Sequence, residues 1–392
     1  MGNSSRTGRS RARRASWLCA AVCAACSPAP SGDAGADASG NDASTATALP
    51  MNCTVLANTT DPHCVPLLMA QPGNVGSGPV IASQPAFPRI GGGYVEGNSA
   101  YAAFTNDDQA NGIVAIDLTS GARRVVSGGY TDPSLGPTTV GAGPAMTSAA
   151  DVARGSDGLY VMSRAGVFRV DATTGDRTMF YDLATRCSIA GSQFVVAHDT
   201  LTLGPDGTVY AMTESSAGVA LVRLAAGGMC TAVSYAGGMT GSEIGTGLPF
   251  GGSVRQLRFD NGSVWALDTL YARLFRVDPM NGNRVNVSSA SSSFRVGTGD
   301  SEILAQGEAF TPMHDIAWTG GGSTQDPWSL TRVDLATGNR TDVIFRGPAS
   351  GVLGTDPTLF ALHPTQPFIV AAVDTAVVLI EPSTGLTYTL SY

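Results

Sequence analysis

The stretch Leu274–Arg284 reads LFRVDPMNGNR, and its pattern recurs along the chain. Close copies are Leu330–Arg340 (LTRVDLATGNR), Phe168–Arg177 (FRVDATTGDR) and Val114–Arg123 (VAIDLTSGAR); degenerate copies are Leu221–Cys230 (LVRLAAGGMC) and Leu379–Tyr388 (LIEPSTGLTY). The turn glycines of the six copies stand 47 to 56 residues apart, at Gly121, Gly175, Gly228, Gly282, Gly338 and Gly385. A period of this length indicates a repeat fold.

Each copy encodes a hairpin. Alternating apolar residues favour a strand, the Asp can accept hydrogen bonds from backbone N–H groups two or three residues on, and the Gly takes a positive φ before a second strand returns. Another turn precedes many copies, most clearly at Ser156-Asp157-Gly158, Pro205-Asp206-Gly207 and Asp260-Asn261-Gly262. We therefore expect four antiparallel strands in each unit of about 50 residues.

Four-stranded units at this period predict an all-β protein with a single β-propeller. The Asp-Gly-x-x-Tyr and Val-Asp-x-x-Thr-Gly turns resemble those of NHL, TolB-like and gluconolactonase-like propellers over residues 86–392. Six copies predict six blades; a seventh would have to come from residues 51–88, which hold few strand-like runs. A β-helix or a pair of sandwiches is the alternative for such a repeat, although a β-helix has shorter repeats.

The N-terminus carries the features of an export signal. Five arginines fall in the first 14 residues, and the apolar stretch after them, residues 15–25, is too short to span a bilayer. Its Ala-Ala-Cys end resembles the bacterial lipoprotein signal, which implies that residues 1–26 are a signal peptide and that Cys26 is lipidated. Ser27 resembles outer-membrane sorting in a Gram-negative bacterium. A plain secretory signal, giving a periplasmic or secreted protein, is the alternative.

Between this signal and the propeller we expect two further segments. Residues 27–50 are Ala, Ser, Gly, Asp and Thr with almost nothing large, which predicts a disordered tether to the membrane anchor. Residues 51–85 form an N-terminal extension that contains Cys53 and Cys64. The signal and the lipid account for three of the seven cysteines, so four remain in an oxidising compartment. Cys53–Cys64 and Cys187–Cys230 are the expected disulfides; buried free thiols are the alternative.

Composition narrows the classes of partner. The net charge is −8 even with the five N-terminal arginines, so the mature domain is a poor candidate for nucleic acid. The sequence contains no Gly-x-Ser-x-Gly, Walker A or His-Glu-x-x-His motif. We expect a monomer that touches a membrane only through its lipid.

The candidate ligand residues lie where the innermost strand of four units is expected to begin, at the mouth of the central channel. They are Asp151, His198, Asp199, Arg255, Gln256, His314 and Asp315. Asp151, Asp199 and Asp315 could together hold Ca²⁺ or another hard cation, and the two histidines could act as bases or metal ligands. The competing interpretation is structural, because an Asp at this place can bind the backbone of the next blade or lie in solvent.

Two classes of function therefore compete. The first is a non-enzymatic module that binds a protein or a glycan through the face that carries the long connections between blades, since long loops on a rigid scaffold are common binding sites. The second is a metal-dependent hydrolase or lactonase of gluconolactonase-like form. No catalytic residue is assigned for either.

Overall fold

The structure is a computed structural model that describes residues 89–106, 110–132, 136–236, 243–252, 254–271, 273–289, 296, 309–313, 316–321, 329–344, 358–362, 368–373, 376–380 and 387–391. These residues form antiparallel sheets whose strands follow chain order, and no helix occurs among them. The expected signal peptide, lipidation site at Cys26, tether and N-terminal extension, with Cys53 and Cys64, lie outside the described residues.

The first three sheets hold fourteen strands. The first sheet comprises β1 (Arg89–Glu96), β2 (Ser99–Asn106), β3 (Ala110–Asp117), β4 (Arg123–Asp132) and β5 (Gly136–Val140). The second comprises β6 (Ala149–Gly155), β7 (Gly158–Ser163), β8 (Gly166–Val170) and β9 (Arg177–Asp182). The third comprises β10 (Cys187–Ile189), β11 (Ser192–Leu203), β12 (Val209–Ser215), β13 (Gly218–Ala225) and β14 (Met229–Tyr235).

The remaining three sheets have four strands each. The fourth comprises β15 (Val254–Asp260), β16 (Ser263–Asp268), β17 (Arg273–Val277) and β18 (Arg284–Ser289). The fifth comprises β19 (Ala309–Met313), β20 (Ile316–Gly321), β21 (Ser329–Asp334) and β22 (Arg340–Ile344). The sixth comprises β23 (Thr358–Leu362), β24 (Ile369–Val373), β25 (Ala376–Ile380) and β26 (Thr387–Ser391).

The sheets are arranged in a ring, and each sheet has one inner strand that contacts the inner strands of its two neighbours. β1, β6, β11, β15, β19 and β23 each contact the next in that order, and β23 also contacts β1. The predicted β-propeller fold is therefore confirmed. β26 pairs with β25 as the outer strand of the last sheet, while Arg89 and Ile90 belong to β1.

Two sheets depart from the expected four strands. β4 continues past Gly128 and pairs with β5, so part of the predicted loop after the first unit is a hairpin. β10 precedes the third unit and pairs with the first residues of β11. The expectation of four strands was wrong here because glycines and β-branched residues in these connections allow the chain to keep pairing after the repeat unit ends.

The core lies between neighbouring sheets. Ile113 of the first sheet packs in one cluster with Leu159, Val161 and Phe168 of the second, and all four are fully buried. Equivalent clusters fill the next spaces around the ring, with Phe194 and Val222 in one and Leu257 and Phe275 in another. Burial of both faces explains why second strands such as β7 and β16 read as nearly continuous apolar runs.

The repeat turns have the predicted geometry. The Asp171 carboxylate accepts hydrogen bonds from the backbone N–H groups of Thr173 (2.7 Å) and Thr174 (3.0 Å), and Gly175 has a φ of 78°. Those hydrogen bonds hold the pKa of Asp171 below its usual value. The turns that begin at Asp117 and Asp334 are built in the same way. In the Asp278 turn the carboxylate accepts from the backbone N–H of Met280 and from the side-chain amide of Asn281.

The arginines that end three of the close repeat copies, Arg177, Arg284 and Arg340, make contacts between sheets. Ser127 of β4 donates a hydrogen bond to the carbonyl oxygen of Gly175 (2.6 Å), and the Arg177 guanidinium donates to Ser127 Oγ (2.9 Å). The same guanidinium donates to the carbonyl oxygens of Val140 (2.8 Å) and Pro144 (2.9 Å), in the connection between the two sheets. We call the contact between two neighbouring sheets a seam, and we call this set of serine, turn glycine and arginine the seam clamp.

The seam clamp recurs between the third and fourth sheets and between the fourth and fifth. Arg284 binds Ser234 (2.5 Å), and Arg340 binds Ser288 (2.9 Å). The two serines donate to the carbonyl oxygens of Gly282 (2.6 Å) and Gly338 (2.8 Å) respectively. The clamp serines are fully buried and the three arginines are 4–6% exposed, so each seam holds a charged group surrounded by acceptors.

A disulfide replaces the seam clamp between the second and third sheets. Cys230 stands at the register position of the clamp arginine, since it pairs with Leu224 as Arg177 pairs with Val170. It is bonded to Cys187 of β10, with a Cα–Cα distance of 5.4 Å. Buried Tyr181 stands at the position of the clamp serine. The predicted Cys187–Cys230 disulfide is confirmed. It links β10, which follows the second sheet in the chain, to the outer strand β14 of the third sheet.

Candidate functional site: the channel mouth and the long-loop face

The structure describes only part of the predicted channel-mouth set. Asp151 lies in β6 and is buried, Gln256 lies in β15 and is buried, and Arg255 beside it is exposed. His198 and Asp199 lie within β11, but their side chains are outside the described part of the chain. His314 and Asp315 are outside it altogether.

β19 ends at Met313 and β20 begins at Ile316. His314 and Asp315 lie outside the described residues, so their expected position at the start of an inner strand stays a prediction.

The Asp151 carboxylate is bound by the neighbouring blade. Its Oδ2 accepts hydrogen bonds from Thr200 Oγ1 (3.0 Å) and from the backbone N–H of Leu201 (3.2 Å), both in β11. Its Oδ1 accepts from the backbone N–H of Val152 (2.9 Å). On the other side the backbone of Gly92 in β1 packs so closely against Asp151 that a Cβ at residue 92 would overlap the carboxylate.

Arg258 of β15 completes this cluster. Its Nη1 lies 3.6 Å from Asp151 Oδ2, and its Nη2 donates to the carbonyl oxygen of Gly93 in β1 (3.1 Å). Thr200 bridges the same strands, because its Oγ1 also accepts from the backbone N–H of Leu257 (3.0 Å). Asp151, Thr200 and Arg258 therefore link the inner strands of the first four sheets, and we call them the channel cluster.

Burial dominates the electrostatics of the channel cluster. Desolvation raises the pKa of Asp151, while the charge of Arg258 and the hydrogen bonds from Leu201, Thr200 and Val152 act in the opposite direction. Both carboxylate oxygens already accept hydrogen bonds from protein groups. This arrangement suits a carboxylate that positions strands better than one that binds a ligand.

The sequence analysis did not identify Thr200 or Arg258. They stand about 50 and 100 residues from Asp151, and only the ring brings their strands together. No signal in the sequence set Arg258 apart, because β15 also contains Arg255, Gln256 and Asp260.

No metal centre is evident within the described residues: no three His, Cys, Asp or Glu side chains there are placed to hold an ion. Of the three predicted calcium ligands, Asp151 is engaged in the channel cluster, and the side chains of Asp199 and Asp315 are not described.

The turn between β16 and β17 exposes two apolar side chains next to each other. Leu270 is 57% exposed and Tyr271 43%. The turn lies on the face that carries the connections between sheets, because the connection before β15 contacts it: Asp268 Oδ2 accepts from the backbone N–H of Gly251 (2.7 Å). We call Leu270 and Tyr271 the apolar tip.

Buried charges hold the apolar tip in place. Asp268 and Arg273 stand opposite each other in the register of β16 and β17, and both are at most 1% exposed. Arg273 donates to the carbonyl oxygen of Pro249 (3.1 Å), and its guanidinium lies 4.4 Å from the centre of the Tyr271 ring. Burial raises the pKa of Asp268 and lowers that of Arg273. The tip is therefore presented on a rigid base.

Comparisons with known proteins leave the function open. No protein-family model and no curated protein matches the sequence. Similar solved structures include a protein of unknown function from Bacteroides thetaiotaomicron, with 11% identity over 80% of this chain and 72% of that one and a TM-score of 0.49. TolB from Acinetobacter baumannii has 11% identity over 71% of this chain and 59% of that one, with a TM-score of 0.43.

Regucalcin from Agrobacterium tumefaciens, a calcium-binding protein, is also similar, with 15% identity over 80% of this chain and 93% of that one and a TM-score of 0.41. Similarities this low carry no argument about what this chain binds or does.

Within the described residues, no helix is long and apolar enough to cross a membrane.

Proposed function

We propose that this chain is an exported, non-enzymatic β-propeller that binds a protein partner. The binding surface is the face that carries the connections between sheets, which we call the long-loop face. The apolar tip is the observation that carries the proposal, because it places Leu270 and Tyr271 side by side on a turn held by buried charges. Preorganised apolar and aromatic side chains at an exposed site favour protein recognition.

Two features favour a protein over a glycan. Leu270 is the more exposed member of the tip, and an aliphatic side chain contributes little to sugar recognition. One face of the Tyr271 ring is covered by Arg273, which leaves less of the ring for stacking on a sugar. A glycan remains the alternative ligand.

The hydrolase alternative has less support among the described residues. A metal-dependent lactonase needs carboxylate oxygens that face a metal and a substrate, and the Asp151 oxygens instead accept hydrogen bonds from the neighbouring blade. The cluster therefore supports a structural role for this carboxylate.

We propose six blades and an envelope location as the setting of this function. The contact between β23 and β1 supports a ring of six units.

The basic N-terminus and the Ala-Ala-Cys sequence that ends at Cys26 support export and lipid anchoring, with residues 27–50 as the tether. Labelled palmitate should enter the wild type and not Cys26→Ala; equal labelling of both would contradict the anchor.

The binding proposal is tested with the purified mature chain as bait in an envelope extract of the organism that makes it. The variants are Leu270→Ser/Tyr271→Ser and, as a matched control, Met280→Ser, since Met280 is 89% exposed on the turn at the other end of β17. A protein should be retained by the wild type and the control and lost by the tip variant, and titration of the purified partner should show a loss of about 2 kcal/mol or more.

Equal retention by all three baits would contradict the proposal. Retention of a glycan in place of a protein would replace the protein partner with the glycan alternative.

A further inference from the structure

The first inner strand contains a run of three glycines. β1 reads RIGGGYVE, with Gly91, Gly92 and Gly93 in its middle. A Cβ at Gly91 would overlap the carbonyl oxygen of Ala150 in β6, and a Cβ at Gly92 would overlap the Asp151 carboxylate. Glycine inside a strand often marks a place where another backbone comes close. The run therefore lets β6 approach β1, and it leaves β1 without side chains that could reach other inner strands at this level.

Arg258 lies on the inner strand opposite β1. In the ring, β6 and β11 separate β1 from β15 on one side, and β19 and β23 separate them on the other. The Arg258 guanidinium nevertheless donates from Nη2 to the carbonyl oxygen of Gly93 in β1 (3.1 Å). Its Nη1 lies 3.6 Å from Oδ2 of Asp151 in β6. The side chain therefore extends across the central channel to the opposite wall.

Other polar contacts of these inner strands join neighbours. Thr200 Oγ1 accepts a hydrogen bond from the backbone N–H of Leu257 (3.0 Å), and Thr202 Oγ1 accepts one from the backbone N–H of Phe259 (2.9 Å). Both contacts join β11 to β15, which are adjacent in the ring. The contact between Arg258 and Gly93 differs from them, because it joins two strands that the ring itself keeps apart.

In three other sheets the position of Arg258 carries a short side chain. Arg258 pairs with Trp265, the aromatic residue of the second strand. The residues that pair with the equivalent aromatics Tyr160, Tyr210 and Trp318 are Ala153, Thr202 and Thr311. The repeat pattern therefore does not require an arginine at this position, and its long side chain is a particular feature of the fourth sheet.

The guanidinium is surrounded by protein. The side chain of Arg258 is 14% exposed and that of Asp151 is 2% exposed. A buried charge needs acceptors. Arg258 has the carbonyl oxygens of Gly93 and Leu257 (2.9 Å for Leu257) and the Asp151 carboxylate. A water-filled channel at this level would leave an arginine at its centre far more exposed.

We propose that Arg258 is a strut that closes the central channel at the level of Gly93. The space that its guanidinium occupies is a guanidinium-binding site, formed by the carbonyl oxygens of Gly93 and Leu257 and by the Asp151 carboxylate. The strut holds the glycine-rich β1 to the opposite side of the ring. A ligand then does not pass through the channel, and any ligand binds on one face of the ring. The strut does not depend on the binding role proposed above.

Hydrogen–deuterium exchange of the full mature chain tests the strut. Arg258→Ala should increase exchange at residues 91–96 of β1 by about tenfold, because β1 loses a hydrogen bond from a charged donor. Residues 218–225 of β13 are the internal reference and should change much less. Arg276→Ala is the matched control, since Arg276 is an exposed arginine of the same sheet, and it should leave β1 unchanged. A rise at residues 91–96 no larger than that at β13 would overturn the strut.

Chemical rescue tests the guanidinium-binding site. Millimolar methylguanidinium should bind Arg258→Ala and restore protection at residues 91–96. It should leave the wild type and Arg276→Ala unchanged, because Arg258 occupies the site in both. No restoration at any concentration that leaves the wild type folded would overturn the guanidinium-binding site.

A second variant covers the case in which Arg258→Ala does not fold. Arg258→Met keeps an unbranched side chain in the channel but donates no hydrogen bond. Exchange at residues 91–96 should again rise relative to β13. Exchange at residues 91–96 that equals the wild-type value in Arg258→Met would also overturn the strut, because β1 would then not depend on the guanidinium.

Discussion

At the scale of single residues, the arginine of the seam clamp shows how one side chain joins two sheets. Arg177 replaces its lost hydration with Ser127 Oγ and the carbonyl oxygens of Val140 and Pro144. A charged donor with several acceptors is stabilising in a buried site, and removing it leaves those acceptors unsatisfied.

Arg177→Met should therefore destabilise the fold by about 3 kcal/mol in urea unfolding. Arg169→Met is the control, because Arg169 makes only a half-exposed ion pair with Asp157 and should cost less than about 1 kcal/mol. Equal effects of the two substitutions would show that the clamp contributes no more than a surface pair.

The pKa of Asp151 makes a prediction about pH. Burial raises it in the folded state, so the folded protein holds this proton to a higher pH than the unfolded chain does. The contribution of Asp151 to stability is then fully present below the unfolded pKa and declines as pH rises through the folded pKa. Asp151→Asn resembles the protonated acid and lacks this decline.

The free energy of unfolding of the wild type, relative to that of Asp151→Asn, should therefore fall from pH 4 to pH 7. Urea unfolding at both values measures it. A wild type that gains stability relative to Asp151→Asn as pH rises would mean that the pair with Arg258 outweighs desolvation and that the direction assigned to this pKa is wrong.

At the scale of elements, the seam between the second and third sheets has exchanged one kind of link for another. Cys230 occupies the arginine position, and its disulfide to Cys187 holds the connection between the sheets, as Arg177 does at the seam before it. The degenerate repeat copy LVRLAAGGMC is thus degenerate for a structural reason, since the covalent link makes the arginine unnecessary.

Cys187→Ala/Cys230→Ala should lose about 4 kcal/mol of stability by the loop-entropy model, given the sequence separation of 43 residues. Urea unfolding without reductant measures the loss, and the wild type in reductant should approach the variant. A double variant as stable as the oxidised wild type would show that Tyr181 and the surrounding core suffice at this seam.

The sequence predicted the elements whose information is local. The Asp turns and the hairpins follow from spacing and turn chemistry, and the structure contains them. The Cys187–Cys230 pair was predicted from the even count of remaining cysteines, and the structure contains it as well. The contacts of the channel cluster could not be predicted in this way, because Asp151, Thr200 and Arg258 meet only through the register of different sheets.

At the scale of the whole molecule, the ring explains why inner-strand polar residues are poor guides to function. Its inner strands converge, so a carboxylate there meets backbone N–H groups of the next blade before it meets solvent, as Asp151 does with Leu201. The face that carries the connections is different, because its turns project from the ring and can present side chains such as Leu270.

The metal content of the purified mature chain tests the central claim, that the channel mouth is structural and the protein acts by binding a partner. Elemental analysis and the melting temperature are measured with and without millimolar calcium, for the wild type, Asp151→Asn and Asp199→Asn. The account predicts no stoichiometric metal and no calcium-dependent shift in melting temperature, because the Asp151 oxygens are already engaged. One equivalent of bound metal in the wild type, lost in either variant, would contradict the account and favour the metal-dependent hydrolase.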